Sequence, residues 1–135
     1  MNGGKNNNIN DFAADHNTNY GVWIRGGSSN QVNPSETDDN GKVGVFVGCS
    51  STGPISAACS PKGPASKSNK IFDVYSVSGN GKYGVAIDLG NTGNNVSDVD
   101  ASDNGTDDMF DANSSCDKDF WYFNYFDTAS AACID

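Results

Sequence analysis

The same short phrase is written three times along the chain: NTNYGVWI from Asn17, NGKVGVFV from Asn40 and NGKYGVAI from Asn80, with a divergent fourth, NGTDDMFD, from Asn104. Self-similarity at a period of about 20 to 50 residues marks units that bury their faces on one another, so it constrains the fold before any single motif does. Gly21, Gly44 and Gly84 stand four places after their Asn, and Asp108 takes that place in the last copy. Ile9, Val32 and Val96 stand eight places before their Asn, whereas Ile71 stands nine before Asn80, the offset of a one-residue bulge. One copy occupies 23 residues from Asn17 to Asn40 and 24 from Asn80 to Asn104. That is too short for a strand-helix-strand crossover and long enough for short strands joined by turns. Within GVWI, GVFV and GVAI the pairs Val22/Ile24, Val45/Val47 and Val85/Ile87 share one strand parity and point to one core. Stacked coil on coil, they form ladders of like side chains, and the repeated Asn forms a column of amide hydrogen bonds at a corner.

The rest of the sequence agrees with a β- and turn-rich chain. Leu occurs once, at Leu89, while Gly occurs 16 times among 135 residues, so the residues that fill helical bundles are nearly missing. The step from Asn40 to Asn80 is longer than the others, and its surplus is a Gly/Pro/Ser/Ala segment without alternation, expected as a loop inserted at about 49–68. A formal net charge of -9 with scattered Lys and Arg excludes a phosphate-backbone partner, which needs clustered cations. No apolar run reaches the roughly 20 residues of a membrane span. The cysteines fall as Cys49/Cys59 and Cys116/Cys133 without zinc spacing. Three connectivities are open, and two local disulfides in an oxidising, extracytoplasmic setting are expected.

These residues resemble the right-handed parallel β-helix, or pectate-lyase-like, superfamily and its parallel-β-helix-repeat proteins. The resemblance rests on N-x-x-x-G-V-x-[IV] three times, on the preceding NQV, NKI and NNV elements, and on the tail CDKDFWYFNYF with its later Cys, similar to a closing coil. It implies an all-β solenoid of about five coils forming one domain over 1–135. The tail from about 112 would close it, with Trp121 and Phe126 as apolar cover. The first coil has no equivalent cover, so its open end is expected to meet a preceding part of a longer protein, to meet another subunit, or to stay uncovered.

Enzymes of that superfamily act on acidic polysaccharides, and their constellations are not found here. Arg25, the only Arg, aligns with Gly48 and Asp88, an outward pair that an ordinary surface also produces. The Asp38/Asp39 and Asp107/Asp108/Asp111 clusters lie in turn-like contexts without the family's hydrolase signatures, and His16 reads as a solvated turn residue. Asp15/Asp38 and His16/Asp39/Asp103 lie two and one places before the repeated Asn, so stacking would gather oxygen ligands for a structural calcium ion. On the outward parity, Trp23, Phe46, Ala86 and Phe110 align, and the first two rings are a candidate platform for a sugar, unless the inserted loop covers them. The expected ligand-binding set is therefore Trp23, Arg25, Phe46 and Asp88, with no catalytic residue. Three functions follow in order: a secreted or cell-surface solenoid that binds polysaccharide or surface glycan; the C-terminal part of a polysaccharide lyase, hydrolase or epimerase; and a structural stalk or spike segment.

Overall fold

A computed structural model of the chain describes residues 1–49 and 64–135. The chain winds as a parallel β-solenoid of about four turns. One sheet contains β1 (Asn8–Ala13), β3 (Gln31–Glu36), β5 (Lys70–Ser78) and β7 (Asn95–Ser102) side by side, and both β9 (Phe120–Tyr122) and β10 (Tyr125–Phe126) pair with β7 at its edge. The other sheet runs β2 (Tyr20–Ile24), β4 (Val43–Val47), β6 (Tyr83–Ile87) and β8 (Asp107–Asp111). A third, shorter side is formed by single parallel pairings from Lys5 to Ser28, Lys67 and Thr92.

Two expected boundaries move. Ser66 is fully buried and Lys67 pairs with both Ser28 and Thr92, so these two residues, expected in the loop, already belong to the coil. The expected fifth coil is partial: among the described residues, the second sheet ends at β8, and beyond it Ala129 makes one pairing with Met109.

The register follows the repeat. Val22, Val45, Val85 and Met109 form one row, and Ile24, Val47, Ile87 and Asp111 the next. Ile9, Val32, Ile71, Val96 and Trp121 form the facing row. Apart from Ile9, which is exposed, and Asp111, the rows meet in one core, to which β-branched side chains are suited because each stacks on its like in the pleat.

Two asparagine ladders hold the corners. Asn17, Asn40 and Asn80 each donate the backbone N–H and Nδ2 to Oδ1 of the next Asn, ending at Asn104, over 2.9 to 3.1 Å. A second ladder links Asn7, Asn30, Asn69 and Asn94 in the same way. The residue before each rung has positive φ: His16, Asp39, Gly79 and Asp103 in the first ladder, Asn6, Ser29, Ser68 and Gly93 in the second. That backbone turn aims the amide along the solenoid axis, and short polar residues and Gly tolerate it best.

Each ladder ends on a carboxylate. Asn needs an onward acceptor for its donors, whereas Asp only accepts, so Asp is the natural last rung. Asp119 Oδ1 receives Asn94 N and Nδ2 at 2.8 and 3.1 Å. Asp108 Oδ1 receives Asn104 N and Nδ2 at 3.2 and 2.8 Å, and its Oδ2 receives Asp127 N, Thr128 N and Thr128 Oγ1. The glycine that precedes Asp108 in the repeat has a complementary cause: a β carbon at Gly84 would lie 2.8 Å from Asn104 Nδ2 and 2.5 Å from Asp108 O. Asp108 has no further rung beside it and fills that space with its own side chain. A Cys116–Cys133 disulfide fastens this end, beside a 3₁₀ turn at Ser114–Cys116.

Candidate functional site

The outer face of the larger sheet is bent. Asp11, Asp73, Asp98 and Phe123 all have φ between 54 and 59°, which kinks β1, β5 and β7 and turns the chain between β9 and β10. The kink makes an open groove of about 230 Å³ across β5, β7 and the C-terminal strands. Its walls are two rows running from strand to strand. Asp73, Asp98 and Phe123 lie at the kink, following the paired residues Phe72, Ser97 and Tyr122. Tyr75, Asp100 and Tyr125 lie two residues further on, Tyr125 pairing with Asp100. Val74 and Val99 point inward between the rows and anchor them to the core.

The three rings are unusually open to solvent: Tyr75 is 81% exposed, Phe123 73% and Tyr125 77%. Phe123 carries a second anomaly, because a bulky residue at φ 59° is strained by about 1 to 3 kcal/mol where Asp or Asn would be tolerated. The Phe123 ring packs edge-on against Tyr122, with centroids 5.4 Å apart, and otherwise faces water and not the core. Such a site presents flat apolar faces for stacking beside carboxylates that accept hydrogen bonds.

The residues expected from the sequence lie elsewhere. Trp23, Phe46, Ala86 and Phe110 do form one row on the second sheet. Phe46, however, is 0% exposed, packed 5.0 Å from Tyr20 and 6.2 Å from Trp23 between ring centroids, so outward parity there leads into a second small apolar cluster and not to a free ring. Trp23 remains half-buried and donates Nε1 to Gly48 O at 2.8 Å. Arg25 lies 5.5 Å from the Trp23 ring, and Asp88 is 0% exposed with Oδ1 accepting Leu89 N–H. The stretch from Ser50 to Gly63, with Cys59, lies outside the described residues, and with it the pairing expected between Cys49 and Cys59.

The calcium candidates are engaged with their own corner. Asp15 Oδ1 accepts Asp38 N, and Asp38 accepts Ser76 Oγ and Ser78 N. Asp39 lies 3.5 Å from His16, and Asp103 occupies a positive-φ turn. Among the described residues no group of three or more His, Cys, Asp or Glu side chains is arranged to hold a metal ion.

Carboxylate chemistry concentrates at the closing end. Burial works to raise Asp108, but hydrogen bonds from Asn104 and Thr128 outweigh it and hold the carboxyl below its usual range. Burial raises Asp111, which accepts Asn113 N and Nδ2 on Oδ1 and Trp121 Nε1 on Oδ2. Burial, with the nearby Asp111 charge, pushes Asp119 up to about 7, against the donors of Asn94. These groups are bonded inward and belong to the cap.

Sequence reading missed the groove, although a signal for it exists. Counting two and four places on from the aligned Ile71, Val96 and Trp121 gives D-V-Y, D-V-D and F-N-Y, three triplets whose outer letters are all acidic or aromatic. The class that the fold defines is a disulfide-closed parallel β-solenoid. No protein-family model matches the sequence, and no curated protein or solved structure matches it.

Proposed function

We propose that this chain is an extracellular carbohydrate-binding solenoid, akin to the pectate-lyase-like proteins that its repeats resemble, and that it holds a glycan across the groove of Tyr75, Phe123 and Tyr125. One observation carries the reading: three exposed rings and three carboxylates line a single concave surface, one of the rings on strained backbone. Rings stack on the C–H faces of pyranoses, and carboxylates accept from their hydroxyls. The disulfide favours an oxidising compartment.

The test is glycan-array binding followed by calorimetry, with and without calcium, for the parent chain and for Tyr75→Ala, Phe123→Ala and Trp23→Ala. Loss of binding in the first two variants, with Trp23→Ala close to the parent, supports the groove. Loss in Trp23→Ala alone returns the site to the second sheet. An absence of binding throughout favours a structural stalk.

A further inference from the structure

We propose that the groove selects a glycan bearing free amines, a chain of deacetylated amino sugars, over the uronate polymers that an acidic-polysaccharide reading would suggest; this rests on the glycan reading above. The first observation is a contrast between faces. Elsewhere four rings carry a cation of the chain's own: Arg25 at 5.5 Å from the Trp23 ring, Lys42 at 5.9 Å from Tyr20, Lys70 at 4.3 Å from Phe72 and Lys82 at 5.0 Å from Tyr83. Among the described residues none stands over Tyr75, Phe123 or Tyr125, and neither Lys, Arg nor His lines the groove.

The second observation is what replaces them. Asp100 lies between Tyr75 and Tyr125, and Asp73 and Asp98 lie side by side in the row that ends at Phe123, on strands spaced about 4.8 Å apart. All three carboxylates are exposed, and as acceptors without donors they match an ammonium group and repel a carboxylate. Ring faces add cation–π attraction to the same ammonium while covering the apolar face of the sugar. The net charge of -9 extends the bias beyond the groove, drawing cationic chains toward the molecule and slowing the approach of anionic ones.

The experiment compares glucosamine oligomers, N-acetylglucosamine oligomers and galacturonate oligomers of equal length by calorimetry on the 135-residue chain at low and high salt. The glucosamine series is expected to bind about tenfold more tightly than the acetylated one. That advantage should shrink in Asp98→Asn and Asp100→Asn and with salt, while Tyr75→Ala weakens both series. Since these side chains are exposed, circular dichroism of each variant should match the parent. Equal affinity for the acetylated series, or preference for galacturonate, overturns the amine selectivity and leaves the glycan reading standing. No affinity for any sugar overturns both. Oligolysine bound as tightly, with the same variant dependence, reduces the groove to a charged surface and overturns the assignment to sugar.

Discussion

Asp108 occupies the position that the repeat reserves for glycine, and its carboxylate both ends the first ladder and gathers the turn at Asp127–Thr128. Restoring the glycine of the repeat is therefore expected to harm the fold. Asp108→Gly should cost about 3 kcal/mol, since several donors lose a charged acceptor at a site that is almost fully buried. Denaturant unfolding should show the midpoint falling without a change in slope. A parent-like midpoint would mean that water satisfies those donors as well as the carboxylate does.

At the scale of elements, the closing segment is held by packing and by a covalent tie. Trp121 completes the row of Ile71 and Val96, and the Cys116–Cys133 bridge spans a separation of 17 residues. The double variant Cys116→Ser/Cys133→Ser is expected to lose about 3 kcal/mol through the freed loop, read from thermal unfolding followed by tryptophan fluorescence. The strands and first ladder are legible in the sequence because their residues are fixed by sterics: a Cβ at Gly21, Gly44 or Gly84 would strike the next coil. The second ladder is fainter. Its rungs Asn30, Asn69 and Asn94 repeat, but Ser29, Ser68, Gly93 and Lys118 before the rungs share only a backbone angle, which no single letter records. Phe46 misleads for another reason: period-2 parity says which side of a sheet a residue is on, and Tyr20, Trp23 and Tyr83 then decide whether that side is covered. The groove stays hidden because β3 to β5 and β5 to β7 shift register just where its rows lie, so Tyr75 and Asp100 do not align by simple spacing from the repeated Asn.

For the molecule as a whole, stability should depend on pH in two opposite ways, and both originate in the cap. Asp119 and Asp111 have folded-state values raised above those of the unfolded chain, so their contribution is most favourable below about 4 and is lost as pH rises. For Asp119 that loss runs up through about 7. Asp108 is held low, so its contribution is present above about 4 and is lost as pH falls through the folded value. The expected curve of unfolding midpoint against pH is a maximum on the acidic side of neutrality, with declines toward pH 8 and toward strong acid. Asp119→Asn should flatten the alkaline limb and leave the acid limb intact. An unchanged alkaline limb would assign that decline to general repulsion within a chain of net charge -9.

Each rung of the first ladder receives and hands on the same pair of bonds, so a coil taken from Asn80 to Asp103 begins and ends at equivalent points. Duplicating it would leave Asp108, Asp119 and the disulfide where they are and lengthen both groove rows by one strand. The molecule is in this sense a ruler graduated at about 4.8 Å, whose length is set by how many coils are counted out before the closing carboxylates.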